Sequence, residues 1–128
     1  MSFKRIFVTL LIFFGAFKLF AADFYLIDKE NPLSVYISDN QMDVVKTVSD
    51  IFFKDVQIVS GINPVVSHDI LNSKLLVGTL GIDEKLDKWL VQHNVLVNEL
   101  SGQWEAFKIQ VVETGSEPVL VVVGSDAR

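Results

Sequence analysis

The chain contains no cysteine. That absence excludes disulfides, thiolate metal sites, a cysteine nucleophile and a lipid anchor on an N-terminal cysteine. Histidine is almost as scarce. His68 and His93 are the only two, and neither has a second ligand at helical spacing, so a zinc site of the HExxH kind is excluded and surface or packing roles are expected. Ser60, Ser67, Ser101 and Ser125 all stand outside a GxSxG elbow, so no nucleophile stands out. The run Gly78-Thr79-Leu80-Gly81 has the strand-to-helix setting of a phosphate loop but lacks both the GxGxxG spacing and a GK[ST] ending. It reads as a tight turn in which glycine permits positive φ. No cofactor and no metal are therefore expected.

Basic charge is also in short supply. Without residues 1–22, which contain Lys4, Arg5 and Lys18, the 11 basic side chains fall to 8 against 16 acids, formally −8. Nucleic acid is not an expected partner, because no Lys/Arg patch is available for phosphates. An anionic membrane surface would repel the chain as well. The acids are dispersed, as ordinary solubility requires. Glycoside hydrolysis uses two carboxylates on opposite sides of a sugar, and Asp83-Glu84 or Asp126 with a partner offers such a pair, but with 16 acids some pair is inevitable.

A membrane-spanning run is missing too. The apolar stretch 6–17 is 12 residues long and ends at Lys18, whereas about 20 are needed to cross a bilayer. Lys4 and Arg5, the apolar stretch and Ala21-Ala22 instead have the order of a cleaved signal peptide over 1–22, although Leu19 or Phe20 stands where a small residue is preferred. Export to a periplasm or the outside follows, with no stable membrane anchor. Residues 23–128 then form one domain, and the 50% hydrophobic content of the 128-residue chain excludes disorder throughout.

Within that domain, 24–27 and 33–37 read as two strands separated by the turn signal Glu30-Asn31-Pro32. Val45, Val48, Ile51, Phe52, Val56 and Val59 recur at helical spacing over 42–59, with Asp39 as N-cap and Gly61 as stop. A weak strand at 64–67 and a buried one at 74–77 follow, then a helix over 83–93 with Leu86, Trp89 and Leu90 inward and Asp83 or Glu84 near its positive end. Alternation predicts a strand over 104–112, and the β-branched run 118–123 predicts another. The order is ββαββαββ, a mixed sheet flanked by two helices in the α/β class, with α+β as the alternative. Trp89 belongs to the core. Trp104 opens a strand and is weighed between packing and stacking on a sugar ring.

Four segments carry a resemblance. The stretch 100–112, LSGQWEAFKIQVV, and the run 119–128, VLVVVGSDAR, are similar to conserved stretches of glycoside hydrolase family 115, the xylan α-1,2-glucuronidases. The helix 44–58 followed by SGINP at 60–64, and LVGTLG at 76–81, resemble that family in the same order. Ser60 where the family often has Thr, and Ala127 where it often has Lys, are mild departures. The resemblance implies an N-terminal accessory domain of an exported enzyme that removes glucuronic acid or its 4-O-methyl ether from glucuronoxylan or xylo-oligosaccharides by inverting hydrolysis. Its catalytic carboxylates would lie on a downstream TIM barrel, beyond Arg128, so the fragment itself is expected to be inactive. Asp126, Arg128 and Trp104 are the candidate contacts with substrate or with the domain junction, Arg128 through its planar fork. Also kept open are a second copy of the chain as a partner, a self-contained sugar-binding or structural module, and a defective remnant of a hydrolase.

Overall fold

A computed structural model describes residues 23–126. The expected signal peptide and Arg128 lie outside the described residues. Five strands, β1 (Ser34–Ile37), β2 (Val65–Ser67), β3 (Leu75–Thr79), β4 (Phe107–Val112) and β5 (Val119–Gly124), form one mixed sheet in the order β2-β1-β3-β5-β4. All neighbours pair in parallel except β4, which runs antiparallel to β5 along the far edge. Two helices, α1 (Asp43–Ser60) and α2 (Glu84–Gln92), complete the α/β fold.

The helices take opposite faces for a topological reason. The connection from β1 to β2 and the connection from β3 to β5 move in opposite directions along the sheet, and right-handed crossovers in opposite directions place their helices on opposite sides. Two cores result. On one face Leu86, Trp89 and Leu90 of α2 pack on Tyr36, Leu76, Val121 and Val123. On the other, Val56 with Phe52 and Phe53 of α1 packs on Val35, Ile37 and Leu75. Burying each such side chain contributes roughly 1.5–3 kcal/mol.

The strand expected at 24–27 does not form. Both edges of β1 are already taken, by β2 and β3, so the segment has no ladder position beside it. It lies as irregular chain, with Leu26 and Ile27 half-buried against the α1 core. The observed order is therefore βαββαββ.

Three smaller differences have local causes. Met42 rather than Asp39 precedes α1, with no side-chain cap. Asp39 instead offers its carbonyl to Lys46 Nζ at 2.8 Å and its carboxylate to His68 at 3.6 Å. The strand expected from Trp104 begins only at Phe107, because Glu105 adopts φ 53°, which no strand residue can hold. Of the α1 stripe, Val56 is buried and Val45 and Phe52 are half-buried, while Val48, Ile51 and Val59 stay exposed. Gly61 ends the helix as expected, at φ 74° with its N–H on the Gln57 carbonyl at 2.9 Å.

Candidate functional site

In an open α/β sheet, ligands are held outside the carboxyl ends of the strands, where the strand order reverses. Here that point lies between β1 and β3. The chain leaves β1 through Ser38 and Gln41 and leaves β3 through Thr79, and all three side chains are buried. Between them stands a closed pair. The Tyr36 hydroxyl donates to Asp83 Oδ2 at 2.6 Å, and Asp83 Oδ1 accepts the backbone N–H of Lys85 at 3.0 Å as the N-cap of α2. Burial first, and then the carboxylate beside it, hold the Tyr36 phenol well above its ordinary range. Both Asp83 oxygens have donors within the chain, so the pair holds β1 against α2 rather than waiting for a ligand.

The Gly78–Gly81 turn is likewise closed. The Gly81 N–H, the donor that a phosphate would take, is directed at the Asp87 carboxylate at 3.1 and 3.2 Å. The two glycines serve different purposes. Gly81 has φ 75°. Gly78 does not have positive φ; it is needed for space, since a Cβ there would meet Leu86 Cδ2 at 2.4 Å and Gln41 Nε2 at 3.0 Å.

Gln41 is the one polar side chain here without an account in the sequence. It is 3% exposed, and neither its Nε2 nor its Oε1 has a hydrogen-bond partner. A buried amide left unsatisfied costs about 1–3 kcal/mol. Gln41→Met, of similar volume, is expected to raise stability by about 1 kcal/mol. Urea unfolding of the two proteins measures this directly, and a loss of stability would mean that the amide is satisfied by a polar partner, such as an internal water.

Beside the switch point, a groove of about 240 Å³ runs between α1 and the β4–β5 end of the sheet. Its walls are Val44, Val48, Val77, Phe107 and Val122, with Asp126 at one end. Of the expected contact residues, Asp126 lines this groove. The Ser125 N–H donates to the Ala106 carbonyl at 2.8 Å and the Ala106 N–H to Ser125 Oγ at 3.1 Å, which ties the segment carrying Trp104 to the loop carrying Asp126. Trp104 is 70% exposed. Arg128 lies outside the described residues. Sequence reading missed Gln41 and Phe107, the first for want of any local pattern and the second because alternation alone placed it in a strand without saying that its face would stand open.

The remaining residues singled out from sequence have structural roles. The ring of His93 stacks on Trp89 at 3.9 Å, and its Nδ1 lies 2.9 Å from the Trp89 carbonyl, a packing role. His68 is on the surface. A larger hollow of about 610 Å³ lies at the amino ends of the strands, lined by Phe24, Tyr25, Asp28, Glu30, Lys74 and Glu117. Asp28 is occupied locally: the Glu30 N–H, and then the Asn31 amide, keep its carboxyl below the usual range.

A mixed sheet wound in this way, with a closed switch point, defines an α/β domain. No family model and no curated protein matches the chain. A solved structure does: a family GH115 4-O-methyl-alpha-glucuronidase with specificity for decorated arabinogalactans, at TM-score 0.63 and 27% identity over 75% of this chain. The chain resembles a fragment of glycoside hydrolase family 115 in fold as well as in sequence. It spans 12% of that relative's length.

Proposed function

We propose that this chain is an exported accessory domain of a longer glycoside hydrolase of the α-glucuronidase kind, and that the catalytic carboxylates belong to the rest of that enzyme. The observation that carries the reading is the match to the glucuronidase, in which 75% of this chain corresponds to only 12% of the other. Inverting hydrolysis and a xylan substrate come from the sequence resemblance; the related glucuronidase is specific for decorated arabinogalactans. Release of glucuronic acid or its 4-O-methyl ether by the complete enzyme, assayed on glucuronoxylan and on decorated arabinogalactan in parallel, tests activity and substrate together. The 128-residue chain alone should release none. A complete enzyme inert on both polymers would sink the reading.

One observation favours a second reading, a glycan-binding module. Trp104 exposes most of its ring beside the Asp126 loop, and aromatic faces stack on sugars. On that reading, Trp104→Ala should weaken binding of xylo-oligosaccharides to the 128-residue chain by roughly tenfold, the loss of about 1.4 kcal/mol. Titration by calorimetry decides it, since the accessory-domain reading expects no measurable affinity for either protein.

A further inference from the structure

We infer that the face formed by β4, β5 and the adjacent side of α1 is a docking surface for an apolar-faced helix from the remainder of the parent hydrolase, laid alongside α1. This rests on the accessory-domain reading. The two faces of the sheet are treated unequally. Under α2, Val112 of β4 and Val119, Val121 and Val123 of β5 are all buried. On the opposite face Phe107 is 69% and Ile109 60% exposed, and Val111 is exposed too, although Val122 and Leu120, the ladder partners of Ile109 and Val111, are half-buried core. α1 packs over the β1–β3 side and stops short of β4.

The open side of α1 matches. Val44, Val48 and Ile51, at spacings of four and three, make one exposed helical stripe. Val44 and Val48 form one wall of the groove whose other wall contains Phe107 and Val122. Two apolar walls of different elements facing one slot are unlike singly scattered surface residues. A sheet of mainly parallel strands is ordinarily covered on both faces, and a second helix packed about 8–10 Å from α1 would fill the slot.

The occupant follows from chemistry. Among the described residues lining the groove, Asp126 is the only charged one, so an anionic ligand finds no counterpart inside. A sugar would find few hydroxyl partners beyond Ser49 and Thr79. A second copy would bring the same net negative charge, formally −5 for the chain, against its equal, which opposes self-association. The glucuronidase match, in contrast, places the equivalent fold within a much longer chain.

Because the chain has no cysteine, a single introduced thiol reports on each wall. Val48→Cys and Ile109→Cys, with the exposed Leu71→Cys as reference, are labelled with a maleimide in the 128-residue chain and in the complete enzyme. Peptide mass is read at each introduced position. In the short chain all three should label at similar rates; in the complete enzyme the first two should slow by roughly tenfold or more while Leu71→Cys does not. The walls report independently, so misfolding of one variant leaves the other. Unchanged labelling at both walls in an active complete enzyme overturns this inference alone. Concentration-dependent protection in the short chain assigns the face to a second copy and overturns it as well. A reading frame that encodes no further polypeptide removes the accessory-domain reading and this inference with it.

Discussion

Asp83→Ala should lower the stability of the chain by about 3 kcal/mol, from two losses at one residue. The carboxylate caps α2 by accepting the Lys85 N–H, and removing an N-cap oxygen costs about 1 kcal/mol. It also takes the Tyr36 hydroxyl at 2.6 Å. Tyr36 is buried, so its O–H would be stranded at about 1–3 kcal/mol. For a domain of this size the melting temperature should fall by roughly 10 °C or more. Asp83→Asn keeps one acceptor oxygen, enough for the Lys85 N–H, and turns a donor toward the Tyr36 oxygen, so it should cost less than Asp83→Ala. In a double-mutant cycle, Tyr36→Phe with Asp83→Ala should be less harmful than the sum of the two, since each single change removes the same hydrogen bond. A loss below about 1 kcal/mol for Asp83→Ala would mean that the pair does not hold β1 to α2.

The same pair sets a pH dependence with a definite sign. The folded Tyr36 phenol titrates above its ordinary value of 10.0, so between that value and the folded one the unfolded chain has given up the proton and the folded chain has kept it. The folded state then binds more protons, and stability falls as pH rises. The contribution is complete below about pH 10 and is lost above it. Comparing the wild type with Tyr36→Phe across alkaline pH isolates it, because only the wild type carries this group.

Much of the architecture was legible because it follows from local pattern. The β-branched run 118–123 reads as a strand, and the strand that forms, Val119–Gly124, has β3 and β4 as its ladder neighbours. Spacing alone puts Leu86, Trp89 and Leu90 in the core, and they pack where the period puts them. What was not legible depends on residues far away in the chain. The apolar run 24–27 looks as much like a strand as 33–37 does, and only the occupation of both edges of β1 keeps it out of the sheet. Helical period identifies the stripe of α1 but not how far its cover extends, which is why Val48 and Ile51 were assigned inward and are exposed. The groove requires Val44 and Phe107 to face each other across it, and no window of sequence contains both. Nor does any local pattern join the segment of Trp104 to that of Asp126, which the bonds between Ala106 and Ser125 tie together.

Gly78→Ala should cost about 1–3 kcal/mol although it is the smallest change available at that position. An alanine in the middle of a strand is ordinarily favoured over glycine by roughly 0.5–1 kcal/mol, so propensity predicts the opposite sign. Packing reverses it. The added methyl would stand 2.4 Å from Leu86 Cδ2, and Leu86 is buried in the α2 core. Either Leu86 leaves its rotamer or α2 shifts outward, and the Gln41 amide on the other side is already at 3.0 Å. Leu86→Ala alone should cost about 2–5 kcal/mol by leaving a cavity. Combining the two should recover part of that loss, because the new methyl occupies space that Leu86 vacated. Gly81→Ala is the useful contrast: no atom lies within 4 Å of its Cβ, so its cost comes from φ 75° alone and should not be relieved by Leu86→Ala. If Gly78→Ala proved neutral, the close seat of α2 on β3 would be wrong. Rescue specific to Gly78 would instead establish that contact as what places the Thr79–Gly81 turn at the carboxyl end of the sheet.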